Sequence, residues 1–288
     1  MAFRKRREAL RSILSGSACI RPGSVYDATS IRIARDLGFE LGMFGGSVAS
    51  LAVLGDPDIA LITLTELAEQ MRRMSRAADL PVLVDADHGY GNALNVRRTI
   101  EELETAGAAG LTIEDTLLPQ AFGQSATQLI PLEEGVGKMK AALDARRDAS
   151  LVVIGRTGAV SITSLDDAIV RARAYAAAGV DALFFTGIKT RTELEAIAAA
   201  TTLPIVLGGA PEDMADPIYL ASKRVRIALQ GHAPFAAATQ AVYETLKALR
   251  EGLPPKALKG LASSELTGRV TREAAVRARS REFLGLSK

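Results

Sequence analysis

The chain has 288 residues, 48% of them apolar, with 35 Lys and Arg against 33 Asp and Glu for a net charge of +2. That length suits one large α/β domain or two small ones, and the balanced charge argues against nucleic acid or a membrane surface as the main partner. The single cysteine, Cys19, rules out an internal disulfide framework and fits a reducing cytoplasm, and no run of ~18 uncharged apolar residues could span a membrane.

The N-terminal segment is charged, and the apolar stretch after it is broken by Arg11 and Ser12, which argues against a signal peptide. Short apolar runs follow near 17–21, 41–45, 82–87, 110–115, 151–156, 182–186, 205–208 and 225–230, which we read as eight strands buried on both faces. Three of them come after a helix that ends in Gly38, Gly107 or Gly179, where glycine takes the left-handed conformation cheaply. Two others open with Leu80-Pro81 and Leu203-Pro204, and proline at a strand entrance loses no interior ladder bond. Between the strands, Leu67, Met71, Met74 and Ala78 share one helical face, as do Val96, Ile100 and Leu103. Thr63 with Glu66, Ser164 with Asp167, and Thr190 with Glu193 have capping-box spacing. Eight alternating units predict a (β/α)8 barrel over residues 1–250, with an open doubly wound sheet as the alternative. Residues 251–288 form a helical extension, and the Arg- and Ala-rich stretch Arg269–Arg281 suits a solvated helix face or a subunit contact.

In such a barrel, chemistry sits at the C-terminal strand ends. Those ends carry Gly45-Gly46-Ser47, the run Asp85 to Gly91, Glu114-Asp115, Arg156 and His232. Asp85 and Asp87 stand two apart, so on a strand they would point the same way. Glu114 on the neighbouring strand adds a third carboxylate, and hard oxygen ligands of this kind suit Mg²⁺ or Mn²⁺. Gly45, Gly46 and Ser47 offer consecutive backbone N–H groups, as an anion cradle or a plain tight turn. Arg156 ends an apolar strand, so it should face carboxylates or a bound anion. His88 sits inside the aspartate motif, and a lone histidine is more often structural; His232, after Gly231 at the last strand end, is a candidate through its place alone.

At these residues the chain resembles the isocitrate lyase/phosphoenolpyruvate mutase superfamily. The matching pieces are Gly45 to Ala49, Leu54 to Asp58, Leu80 to Gly91, Gly107 to Asp115, and Arg156. The resemblance implies a barrel with its eighth helix exchanged between subunits, a homotetramer built as a dimer of dimers, and Mg²⁺ holding a small 2-oxo acid. It also implies Asp85 as the direct metal ligand, with Asp58, Asp87 and Glu114 acting through water.

Departures from the family patterns narrow the chemistry. The lyases carry Lys-Lys-Cys-Gly-His on the loop after strand four, whereas Thr116 to Ser125 holds no Cys, His or Lys. Their Asn-Ile-Thr-Glu after strand seven is replaced by Gly208-Gly209-Ala210-Pro211. The Lys and Asn of the mutase and phosphonopyruvate hydrolase loops are missing too. Loss of carbon dioxide from a 2-oxo-4-carboxylate needs an electron sink but no base to remove a proton. The resemblance is therefore strongest to the branch that decarboxylates oxaloacetate, which implies substrate contacts from Gly46, Ser47, Arg156 and His232. A C–C lyase of the methylisocitrate or dimethylmalate type, a phosphonopyruvate-processing enzyme, and a catalytically silent oxo-acid-binding barrel are the alternatives.

Overall fold

The computed structural model describes residues 3–285. The chain falls into two compact units, divided between Gly231 and His232.

The first unit contains β1 (Gly23–Ser24), β2 (Gly42–Phe44), β3 (Val82–Asp85), β4 (Gly110–Glu114), β5 (Val152–Thr157), β6 (Ala182–Phe185), β7 (Ile205–Leu207) and β8 (Val225–Ala228). All pair in parallel, in sequence order. Ile20 then pairs in parallel with Ile227, its N–H on Arg226 O at 2.9 Å and its C=O accepting from Ala228 N at 2.9 Å. That pairing joins the first segment of the sheet to the last. The predicted (β/α)8 architecture is therefore observed, with one shift. The first strand lies at Gly23–Ser24, and the expected 17–21 run contributes only the Ile20 bridge. Pro22, between them, has no N–H for a continuous ladder.

Side-chain alternation places Met43, Leu83, Val152, Ile154, Ala182, Phe184, Val206 and Ile227 in one buried cluster. Leu10 and Leu14 belong to it as well, and both come from the helix Arg4–Ser15. That helix plugs the N-terminal end of the strands and was not anticipated from the charged N-terminal sequence. On the outer layer, helix Leu64–Ala77 buries Leu67, Met71 and Met74, and helix Ala93–Ala106 buries Val96, Ile100 and Leu103. The capping boxes at Thr63 and Thr190 are complete, while Ser164 caps only through its own side chain, because Asp167 bonds Thr163 and Arg171 instead. Gly107 and Gly179 end their helices at φ 97° and 100°, the left-handed geometry the sequence implied.

The second unit opens at His232 and contains helices Ala233–Arg250, Ser264–Thr271 and Glu273–Leu284. Among the described residues, no helix is long and apolar enough to cross a membrane.

Candidate active site

The inward rows of the barrel become polar at the C-terminal strand ends. Leu83 leads to Asp85, and Ile154 leads to Arg156, by the period of two. The register sets Asp85 beside Thr112, and Glu114 beside Arg156. Thr112 Oγ1 donates to Asp85 Oδ1 at 2.8 Å, and Arg156 Nη1 donates to Asp85 Oδ2 at 2.5 Å. Arg156 Nη2 lies 3.1 Å from Glu114 Oε2. The guanidinium carbon also sits 5.2 Å from the centre of the Phe184 ring, within cation–π range. Arg156 thus faces carboxylates, one of the two partners its sequence position allowed.

Asp87 departs from the expected strand geometry. β3 ends at Asp85, and Asp87 takes φ 47°, as Tyr90 takes φ 61° in the same loop. Strand alternation therefore does not align Asp87 with Asp85. What aims Asp87 is a left-handed turn, uncommon for residues other than glycine and more so for a tyrosine. Its carbonyl accepts the Glu114 N–H at 2.8 Å, and its carboxylate lies against Gly46. A Cβ added to Gly46 would overlap Asp87 Oδ1 and stand 3.0 Å from both Cγ and Oδ2, so only glycine permits this approach. Gly46 and Ser47 open the helix Gly46–Val53, capped by Gly45. N–H groups in a first helical turn have no intrahelical acceptor and carry partial positive charge. Asp87 holds its carboxylate against that end. Ser47 is half-buried next to it, and Asp58 is exposed.

The electrostatics show a deficit of positive charge. Burial pushes the Asp87 carboxyl well above the usual carboxylate range; Asp85, Glu114 and Asp58 add to the rise and Arg156 opposes it. Burial raises Glu114 to about 6, opposed by Arg156 and Thr116 and reinforced by Asp85. Burial disfavours charge on Arg156, yet Asp85 and Glu114 outweigh it and hold the guanidinium above its ordinary range. One guanidinium therefore faces three buried acids. Tyr90 Oη and Arg156 Nε are buried here with no hydrogen-bond partner among the described residues.

Two supporting groups were not anticipated. Thr112 orients Asp85; its place two residues before Glu114 on β4 was the available signal. Lys138, on helix Leu132–Ala145, is 3% exposed and donates to His88 O at 3.0 Å, pinning the loop that carries Asp87. His88 itself is buried, and burial with nearby Lys138 lowers it to about 4, a neutral structural imidazole at ordinary pH. The Cys-free loop after β4 is tied at its base by the Thr116–Leu129 bridge. His232 lies in the second unit, immediately before helix Ala233–Arg250.

Fold and site together define an enzyme on a (β/α)8 barrel, with an acid cluster and one arginine at the mouth suited to a small anion and a cation. The chain belongs to the phosphoenolpyruvate phosphomutase family, which it matches over residues 10–250. It is 80% identical to a Bradyrhizobium diazoefficiens protein named oxaloacetate decarboxylase, over 100% of both chains. Among solved structures, oxaloacetate acetylhydrolase bound to the inhibitor 3,3-difluorooxalacetate superimposes with a TM-score of 0.86 at 25% identity, covering 99% of this chain and 98% of that one. Phosphonopyruvate hydrolase in complex with oxalate and Mg²⁺ gives a TM-score of 0.83 at 27% identity, covering 97% and 99%.

The donor set fits a divalent cation. The carboxylates are hard oxygen donors, and their mutual repulsion, only partly relieved by Arg156, is the condition a second cation would discharge. Among the described residues, no group of three or more His, Cys, Asp or Glu side chains is arranged to hold a metal ion. A Mg²⁺ held by one carboxylate and its own waters requires none.

Proposed function

We propose that the chain is a Mg²⁺-dependent oxaloacetate decarboxylase, with Mn²⁺ as a substitute ion. The observation that carries the reading is the excess of buried carboxylates around Arg156 at the barrel mouth. It is supported by the 80% identity to a relative of that name. Asp85 would hold the cation directly, with Asp58, Asp87 and Glu114 acting through its waters. When bound, the cation would polarise the C2 carbonyl of the 2-oxo acid and make it an electron sink.

The protein's own groups do the rest. Gly46 and Ser47 offer first-turn N–H groups, and Ser47 its hydroxyl, to the C1 carboxylate. Arg156 pairs with anionic oxygens of the substrate, sharing its guanidinium with Asp85 and Glu114. His232, a substrate contact by the resemblance, is assigned to orient the C4 carboxylate or to donate to the enolate. The bond between C3 and the C4 carboxylate breaks, its electron pair passes toward the C2 oxygen, carbon dioxide leaves, and C3 takes a proton to give pyruvate. No group has to remove a proton from carbon, which agrees with a β4 loop lacking Cys, His and Lys.

The assembly belongs to the same reading. Helix Ala233–Arg250 buries none of its residues, and Val242, Tyr243 and Leu246 on it are exposed. We assign it to exchange between subunits in a cytoplasmic homotetramer, with residues 251–288 adding further subunit contacts.

The test is to incubate the protein with oxaloacetate, methylisocitrate and phosphonopyruvate and to follow pyruvate, acetate and carbon dioxide separately. Pyruvate with stoichiometric carbon dioxide from oxaloacetate alone supports the proposal. Acetate with oxalate, or turnover only on the other substrates, overturns it.

A further inference from the structure

The mouth of the barrel is not the only place with unbalanced charge. At the opposite end, the segments entering β6, β7 and β8 and the end of the plug helix Arg4–Ser15 enclose a half-open cleft of about 460 Å³. Its lining includes Arg11, Asp181, Pro204, Arg224 and Arg226. Asp181, Pro204 and Arg224 each immediately precede a strand, which places the cleft at the N-terminal strand ends, away from Asp85 and Arg156.

Three guanidinium groups line this cleft and one carboxylate answers them. That carboxylate is already saturated. Asp181 accepts from Arg11 Nη2 at 3.0 Å, from Arg146 Nη1 at 2.7 Å and from the Val153 N–H at 2.8 Å. Arg224 and Arg226 have no carboxylate partner among the described residues. Arg224 Nη2 donates only to the carbonyls of Ala198 and Thr201, and its buried Nε has no partner. Arg226 Nη1 donates only to the carbonyls of Ala221 and Val225, at 3.0 and 3.3 Å. Carbonyl oxygens satisfy N–H groups but do not neutralise charge. The Arg224 backbone is held at φ 61°, a conformation uncommon for a residue with a side chain, and its bonds to the Ala198 and Thr201 carbonyls hold the guanidinium in place. Arginine forks with free edges in a concavity of ligand size are the chemistry that recognises carboxylate and phosphate oxygens.

We propose that this cleft binds a small dianion or trianion, a phosphate group or a di- or tricarboxylate, as a second site separate from the acid cluster. Arg11 links it to β5, because Arg11 also donates to the carbonyls of Ser150 and Leu151, just before the strand that carries Arg156. A ligand drawing on Arg11 would therefore act at the base of that strand.

The experiment is calorimetric titration of the metal-free full-length protein with inorganic phosphate and, separately, with citrate. Four proteins are compared: the parent, Arg226→Gln, Arg224→Gln and, as the active-site control, Arg156→Gln. Expected is binding that survives Arg156→Gln and weakens by roughly tenfold or more in Arg226→Gln. Tight citrate with weak phosphate would identify a carboxylate ligand, and the reverse a phosphate. Because Arg224 also ties the Ala198 and Thr201 carbonyls, its variant is judged only if its melting matches the parent; Arg226→Gln carries the test otherwise. No binding by the parent, or binding lost in Arg156→Gln and intact in Arg226→Gln, overturns the proposal. Neither result bears on decarboxylation, which is assayed separately.

Discussion

Replacing Arg156 with Gln separates the two cations that the site is built for. In the metal-free protein, Asp85 and Glu114 keep 13% and 9% of their side-chain surface exposed, so water screens them poorly. Removing one partner of a buried ion pair costs about 3–5 kcal/mol, because the charge left behind has no compensation. In a protein of this size that corresponds to a melting decrease on the order of 10 °C. The loss depends on pH. Glu114 already titrates near 6 because of burial, and without Arg156, which now opposes that rise, it would titrate higher. Protonation relieves the repulsion, so the destabilisation should be largest near about pH 8 and shrink toward about pH 5.5. Excess Mg²⁺ should restore stability to Arg156→Gln by more than it adds to the parent, since it supplies the missing charge to the same oxygens. The assay is urea unfolding of both proteins with EDTA or with Mg²⁺, at the two pH values. Equal stability of variant and parent in EDTA, or no greater Mg²⁺ gain in the variant, would refute the reasoning. Turnover should fall in any case by about 10²–10³, as when one preorganised charge contact is removed.

Gly46→Ala should weaken Mg²⁺ binding and cost about 1–3 kcal/mol of stability, because its methyl overlaps Asp87 Oδ1; calorimetry and urea unfolding measure the two effects. Lys138→Met should lower stability by about 1–3 kcal/mol by leaving the His88 carbonyl unsatisfied in a buried loop, and should raise the metal concentration needed for half-maximal turnover. Burial, with nearby Lys138, lowers His88 from the ordinary imidazole value of 6.5 to about 4, so the stability tied to its neutral form is present above about pH 6.5 and is lost as pH falls through about 4. A His88→Gln variant should show a correspondingly flatter acid limb in thermal melts between those values.

Much of the barrel could be read from the sequence because parallel strands buried on both faces leave continuous apolar runs, and Gly107 and Gly179 mark where helices stop. The first strand was displaced because Pro22 breaks the ladder in a way that apolar content near 17–21 does not reveal. The plug helix is hidden in the sequence for a related reason. Its surface is dominated by Arg4, Lys5, Arg6 and Glu8, and only Leu10 and Leu14 turn to the core, with Arg7 buried on Glu104 and Asp148. In the site, Asp85, Glu114 and Arg156 were legible because charges at the ends of apolar strands have few other uses. Asp87 is legible as an acid, but period-two alternation does not give its direction, since the alternation fails once the backbone turns left-handed. Lys138 lies on a helix far along the chain from His88, and no local pattern couples them. The arginine cleft was invisible for the same reason: Arg11, Arg224 and Arg226 meet only after the barrel closes.

The most direct measurement is the initial rate of pyruvate formation from oxaloacetate across a Mg²⁺ titration, comparing the parent with Asp85→Asn and subtracting the metal-only background. The account predicts a saturable Mg²⁺ requirement, abolished by EDTA, and a loss of about 10³ or more in Asp85→Asn with its fold intact by circular dichroism. Undiminished turnover in EDTA, or parent-like Mg²⁺ saturation in Asp85→Asn, would contradict it.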